Sequence, residues 1–258
     1  MISFRKEILR WLYPPRCPVC GDIIRIVEKV EQADKDNYVN FNRQETEKIC
    51  TACKEAFYQV QPPVCCLCGR SVGQDEELCM NCQGRQFSYI HGFPVWIYNQ
   101  PMKRSIAAFK YHNRREYASY YGQEFVKIYG ERLKKLSIQA FIPVPMYFPK
   151  QKVRGYNQAE LFAREIGKRL GICICNDYLF RVRNTKPQKS LDDRQRYRNL
   201  QGAFAIDKEK RKYYTGLKRV VLVDDIYTTG STIEMCTRAL LQTDIEKVYA
   251  ASISIGGN

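Results

Sequence analysis

Histidine is scarce in this chain: His91 and His112 are the only two among 258 residues. Neither sits in a Ser/His/Asp or Cys/His arrangement, so chemistry built on an imidazole-activated nucleophile is not expected. Long apolar runs are missing too. No stretch approaches the roughly 20 residues that a membrane helix needs. Arg5, Lys6, Glu7 and Arg10 break up the first apolar residues, unlike the core of a signal peptide. The expectation is a soluble, cytoplasmic chain with no membrane span. Acidic residues are the third shortage, with 27 Asp and Glu against 42 Lys and Arg for a net charge of +15.

That shortage is local. Residues 1–90 hold 12 basic and 12 acidic residues, whereas residues 91–258 hold 30 against 15. The second region therefore carries the whole excess and is the one suited to polyanions, either a phosphorylated substrate or nucleic acid. The predicted organisation is a small module over 1–90 followed by an α/β domain over 91–258.

Cysteine, by contrast, is abundant and ordered. Eight of the 12 cysteines form four Cys-x-x-Cys pairs: Cys17/Cys20, Cys50/Cys53, Cys65/Cys68 and Cys79/Cys82. Two thiolates at this spacing grip one tetrahedral zinc, and a second pair completes its shell. Disulfides are the rival, but four repeats of the spacing in a cytosolic chain favour structural zinc. Sequential pairing makes one site from Cys17, Cys20, Cys50 and Cys53, and another from Cys65, Cys68, Cys79 and Cys82. Crossed pairing stays open, as does a substitute role for Cys66. Cys173, Cys175 and Cys236 fall in strand or helix patterns and read as packed core thiols. Phe4, Ile8, Leu9 and Leu12 share one face of a predicted helix that Pro14 and Pro15 stop. The zinc module reads mainly as a scaffold or docking surface.

The pattern changes after Gly92. A strand is expected at Phe93–Tyr98, with helices at Ser105–Tyr111 and Arg115–Leu136. A strand end at Phe141–Pro145 then leads into a basic loop with Lys150, Lys152 and Arg154, and a helix over Ala159–Leu170. Strands near Tyr178–Val182 and Ala203–Ile206 follow, and the order fits a parallel sheet with ligands at the carboxyl ends of its strands. Between those two strands, Arg181, Arg183, Lys186, Lys189, Arg194, Arg196 and Arg198 face only Asp192 and Asp193. Such a run is an ordinary solvated face or a lid that brings cations to a phosphate. Phe180, Tyr197, Tyr213 and Tyr214 are nearby candidates for stacking single-stranded bases. Lys110, Tyr111, Arg114 and Arg115 make a further basic cluster at a helix end.

The most informative run is Val220-Val221-Leu222-Val223-Asp224-Asp225-Ile226-Tyr227-Thr228-Thr229-Gly230-Ser231-Thr232. Four apolar residues make a buried strand that two carboxylates end, and a hydroxylated turn opens a helix over Ser231–Leu241. A helix start rich in free N–H groups and hydroxyls holds a phosphate. The adjacent carboxylates can accept hydrogen bonds from a vicinal diol. Together they describe a ribose 5-phosphate. An ordinary polar turn is the plain alternative, but every position here suits the one ligand.

This run resembles the loop of type I phosphoribosyltransferases that binds phosphoribosyl pyrophosphate (PRPP). The resemblance implies that Asp224 and Asp225 hold the ribose hydroxyls and act in catalysis. It implies that Thr228, Thr229, Gly230, Ser231 and Thr232 wrap the 5-phosphate, with magnesium accompanying PRPP. Arg154-Gly155-Tyr156-Asn157-Gln158, Thr185-Lys186-Pro187-Gln188 and the cysteine module extend the likeness to the ComF (ComFC) competence proteins over nearly the whole chain. By that likeness the fold is a type I phosphoribosyltransferase sheet with an N-terminal double zinc ribbon. Pro145–Gln158 takes the pyrophosphate-loop position, and Asn184–Gly202 the loop that closes over PRPP. Lys110, Arg154, Lys186, Arg194, Arg196 and Arg198 are the candidates for pyrophosphate or nucleic acid. Family members handle single-stranded DNA in natural transformation and are linked with a helicase partner. The resemblance leaves the acceptor open, and with it the choice among phosphoribosyl transfer, nucleotide salvage and non-catalytic PRPP sensing.

Overall fold

The structure is a computed structural model that describes residues 14–24, 48–183 and 200–256. The predicted helix bearing Phe4 to Leu12 and most of the basic run after Arg183 lie outside the described residues. The chain divides into two compact units, Met1–Ala56 and Phe57–Asn258. This division falls before the second cysteine group, not after it at the composition boundary near residue 90. Redrawn at Ala56, the charge contrast survives, with 10 basic against 9 acidic residues in the first unit and 32 against 18 in the second.

The described part of the first unit is two knuckles. The Cys17–Cys20 turn closes through the Gly21 N–H donating to the Cys17 carbonyl at 2.9 Å. The second is a short 3-10 turn over Thr51–Cys53.

The larger unit is built on five parallel strands in the order β1-β7-β6-β2-β3. In chain order its strands are β1 (Gly92–Ile97), β2 (Ala140–Pro143), β3 (Cys173–Ile174), β4 (Leu179–Arg181), β5 (Phe204–Ile206), β6 (Arg219–Tyr227) and β7 (Lys247–Ile255). Its helices are α1 (Gln100–Tyr111), α2 (Tyr117–Lys135), α3 (Phe148–Arg154), α4 (Gln158–Leu170), α5 (Lys208–Arg211) and α6 (Ser231–Leu240). The central strand β6 is apolar because both its faces are covered. Val220 and Leu222 join the core formed with α6, while alternation turns Val221 and Val223 to the opposite face. α2 and α4 pack on each other, and α4 also packs on β2, β3 and β6. α1 begins five residues before the predicted start. Asn99 caps it by accepting from the Met102 N–H at 2.9 Å, and Pro101 stands in its first turn, where no N–H is needed.

Expectations for four places in the chain are corrected. The strands near 178–182 and 203–206 do not join the parallel sheet: β4 and β5 form a separate antiparallel pair, Leu179 opposite Ile206. Three-residue strands with only one partner each make a two-stranded ribbon. The basic stretch after Pro145 is the helix α3, started by Pro149 in its first turn and stopped by Gly155 with φ +82°. Strand β6 does not end at the carboxylates but runs to Tyr227, because β7 keeps pairing with it as far as Ile255. Cys175 and Cys236 are core thiols as expected, but Cys173 is exposed on the short edge strand β3.

Candidate functional site

The sheet order reverses between β2 and β6. From β2 the chain goes outward to β3; from β6 it goes the other way to β7, which lies between β6 and β1. Ligands of open α/β sheets bind in the crevice beyond the strand ends at such a point. β2 stops pairing at Pro143, opposite Val223, so the last residues of β6 extend past it. The first two of those residues are Asp224 and Asp225.

Strand alternation sends the two carboxylates to different surroundings. Asp225 Oδ2 meets Lys110 Nζ, from the last turn of α1, at 2.6 Å. The Asp225 N–H donates to Asp224 Oδ1 at 2.8 Å. Burial, followed by the neighbouring Asp225 charge, pushes the Asp224 carboxyl up to about 7, although Lys110 and Arg181 of β4 partly oppose this. Burial works against the Lys110 charge, but the Asp225 carboxylate beside it and Asp224 beyond more than offset that, leaving its pKa raised. The site thus sets two acids beside Lys110, with Arg181 acting on Asp224 as well, and a carboxylate oxygen has lone pairs to spare beyond a single partner.

The turn after β6 is tight. Gly230 caps α6 with φ +79°, and a Cβ there would lie 2.4 Å from Tyr227 Oη and 3.1 Å from Tyr89 Oη. Only glycine satisfies both the left-handed backbone and the close approach. Thr229 Oγ1 and Ser231 Oγ are 2.9 Å apart across the turn, and Ser231 is buried at the start of α6. The turn therefore collects hydroxyls at the N-terminal end of a ten-residue helix, where the first N–H groups and the helix dipole favour an anion.

Behind this turn stands the second cysteine group. Tyr89 and Tyr227, both buried, share a hydroxyl–hydroxyl hydrogen bond of 2.6 Å. The carboxylate of Glu234, in the first turn of α6, accepts from the Ser88 N–H at 2.7 Å and the Ser88 hydroxyl at 2.8 Å. Cys65, Cys68, Cys79 and Cys82 are all buried in the same core cluster as Tyr89, Tyr227 and Ile233. Their knuckle also braces the sheet: the Gly92 N–H of β1 donates to the Leu67 carbonyl at 2.7 Å, and Arg70 reaches the Gly256 carbonyl at 2.8 Å. Sequence reading missed Tyr89, Tyr227, Ser88 and Glu234. They carry no motif, and only the fold brings 85–89 against the β6–α6 turn.

The eight motif cysteines form two tetrads in sequential pairing. The sulfurs of Cys17, Cys20, Cys50 and Cys53 lie within 4.8 Å of one another, as do those of Cys65, Cys68, Cys79 and Cys82. Zinc–sulfur bonds of about 2.3 Å in a tetrahedron put sulfurs about 3.8 Å apart. The Cys20–Cys50 separation is 3.8 Å and the Cys68–Cys79 separation 3.6 Å, so both tetrads fit structural zinc. Cys66 is exposed and outside the second tetrad.

A cleft opens on the Lys110 side of the site. It has a volume of about 750 Å³ and is lined by Lys110, Arg115, Lys150 and Arg154 together with Tyr111, Tyr147 and Tyr156. The Arg-Gly-Tyr-Asn-Gln element contributes Arg154 and Tyr156 to its lining. Asn157 caps α4 through the Ala159 N–H at 3.1 Å and donates to the Val144 carbonyl at 3.0 Å, tying the turn to the end of β2. The Tyr156 hydroxyl donates to the Phe109 carbonyl of α1. Arg154 donates to Gln158 Oε1 at 2.7 Å. Of the basic residues singled out from sequence, Lys110 and Arg154 meet here, whereas Lys186, Arg194, Arg196 and Arg198 lie outside the described residues.

Among the described residues, no helix is long and apolar enough to cross a membrane. No family model matches the chain. It is 28% identical to Competence protein F of Haemophilus influenzae over 207 residues, covering 78% of this chain and 87% of that protein. It is 27% identical to Competence protein ComFC of Bacillus subtilis, covering 81% and 82%. DNA utilization protein YhgH of Salmonella typhi matches at 27% identity, covering 75% and 84%. Relatives of both names align across most of their own length, so the chain is similar to competence and DNA-utilization proteins of the ComF kind.

Proposed function

We propose that this chain serves DNA handling in natural transformation, binding PRPP at the β6–α6 turn and single-stranded DNA on the basic residues 91–258. The observation that carries the reading is the pair Asp224–Asp225 at the switch point, followed by the Gly230 turn and the N-terminal end of α6. Asp224 and Asp225 accept from the 2′- and 3′-hydroxyls of the ribose. The backbone N–H groups and hydroxyls of Thr228–Thr232 receive the 5-phosphate. Lys110 and Arg154 are the cations on the side where a pyrophosphate would lie. Magnesium, when bound with PRPP, supplies charge neutralisation for the pyrophosphate. If the ribosyl group is transferred, the protein's part is positional and electrostatic, the two carboxylates favouring positive charge at the anomeric carbon. DNA as the polyanion is supported by the charge excess of this region and by the names of the relatives.

Calorimetric titration of the full chain with PRPP and magnesium tests the reading. A hydrogen bond to a charged group contributes about 1.5–3 kcal/mol. The Asp224→Asn/Asp225→Asn double variant is therefore expected to bind at least about tenfold more weakly. Unchanged PRPP affinity in that variant would mean that the loop has another purpose.

A further inference from the structure

We propose that the cleft between the C-terminal end of α1 and helix α3 is a base-stacking subsite for single-stranded DNA, one that reads the bases and not only the phosphates. It rests on the proposed DNA binding and goes beyond it, since that reading invokes charge alone.

Three observations carry it. The first is the absence of acid: among the described residues, four cations line the cleft and no carboxylate does. Arg115 donates from Nε to Asn113 Oδ1 at 2.8 Å, and Arg154 donates to Gln158 Oε1. Both acceptors are neutral, so these hydrogen bonds hold the guanidinium groups in place without cancelling their charge. A basic surface that served only to keep the chain in solution would have no need of such fixed positions.

The second is the aromatic content. Arg115 lies over the Tyr156 ring, 4.4 Å from its centre, and Arg154 lies over the Tyr111 ring at 5.0 Å. Bases of single strands stack on aromatic rings and on guanidinium planes alike. Tyr156 is buried and held through its hydroxyl, so it supports Arg115 and is not itself a platform. Tyr111 is 66% exposed, and Tyr147, at the N-cap of α3, is partly exposed. Tyr147, the face of Tyr111 that Arg154 does not cover, and the two arginines are the surfaces left for bases.

The third is size. At about 750 Å³ the cleft falls in the range of about 300–1,000 Å³ typical of sites for organic ligands. It has room for a nucleotide with its base, where a pyrophosphate alone would leave the tyrosine faces uncovered. Lys110 belongs both to this cleft and to the ion pair with Asp225, so a strand seated here lies beside the carboxylates.

The test uses the full chain and two fluorescent 12-mers, oligo-dT and an abasic strand with the same phosphates. Anisotropy is read for the wild type, Tyr111→Ala/Tyr147→Ala and Tyr111→Phe/Tyr147→Phe, each checked for folding by its melting curve and zinc content. Stacking contributes about 1–3 kcal/mol per base. The expected result is that oligo-dT binds the wild type at least about tenfold more tightly than the abasic strand. The alanine pair loses that preference while abasic binding stays within about twofold, and the phenylalanine pair keeps it. An alanine pair that keeps its preference for oligo-dT would overturn the subsite while leaving DNA binding intact. So would a wild type with equal affinity for both strands, which would make the cleft a phosphate site alone. If the wild type binds neither strand, the DNA reading itself falls, and the subsite with it.

Discussion

Cys17, Cys20, Cys50 and Cys53 gather in a unit of 56 residues, with Cys20 exposed and only Cys17 buried. Cys65, Cys68, Cys79 and Cys82 have the same spacing and the same sulfur geometry, yet all four are buried in the core of the α/β unit. Among the described residues of the first unit, Ile24 and Ile49 are the buried aliphatic side chains, so a zinc held there would supply much of what keeps the local chain together. The second is packed against Tyr89, Tyr227 and the sheet, so a zinc held there would set the position of groups that touch the β6–α6 turn. Identical motifs can therefore stand apart from the α/β core in one place and be built into it in another.

The largest effect should come from breaking each tetrad in turn. Structural zinc in small domains is bound with an apparent free energy of about 10–16 kcal/mol, most of it coupled to folding. Cys82→Ser is expected to lose one zinc by metal analysis, lower the melting temperature of the larger unit and abolish PRPP binding by calorimetry. Cys50→Ser is expected to lose one zinc and leave PRPP affinity within about twofold. Equal loss of PRPP binding in both variants would dissolve the contrast between the tetrads.

That contrast was out of reach of the sequence for a physical reason. Spacing shows which cysteines can share a metal, and both sequential tetrads are legible in it. It does not show what packs against them, because Tyr89 and Tyr227 meet although they lie 138 positions apart in the chain. Composition divided the chain near residue 90 because the charge balance changes there, but compactness depends on packing, and the second tetrad packs on β1 and β7. The Asp224–Thr232 run was readable because a strand, a turn and a helix start are all local. The β4–β5 pair was misread because three-residue strands look alike whether they join a sheet or pair alone. The cleft was only half seen. Lys110 and Arg154 stood out by charge, but the tyrosines were indistinguishable from core residues until the fold exposed them.

A middle-sized effect, confined to the larger unit, sharpens the comparison through pH. The Asp224 carboxyl is raised from 3.8 to about 7 by burial and by Asp225. Between those two values the folded chain keeps a proton that the unfolded chain has released. Stability therefore falls as pH rises from about 4 to about 7, and the loss is complete above that. Asp224→Asn is expected to remove this dependence, melting higher than the wild type at pH 8 and nearly the same at pH 4.5, while binding PRPP more weakly. Denaturation curves across that range check it. Parallel pH profiles for the wild type and the variant would mean that Asp224 does not carry the strain of this site.

The smallest effect tests the link between the second tetrad and the ligand turn most directly. Tyr227→Phe removes one partner of the 2.6 Å hydroxyl pair and leaves the buried Tyr89 hydroxyl without it. Leaving one buried polar group unsatisfied costs about 1–3 kcal/mol, whereas replacing both partners with apolar groups of the same shape is nearly neutral. Tyr227→Phe and Tyr89→Phe are each expected to lower stability by that amount, and the double variant to recover most of it, in denaturant curves. Because both hydroxyls crowd the Gly230 position, the single variants are also expected to weaken PRPP binding by a few fold. Additive losses in the double variant would show the two hydroxyls acting separately. The second tetrad would then be a staple like the first, held near the ligand turn by packing alone.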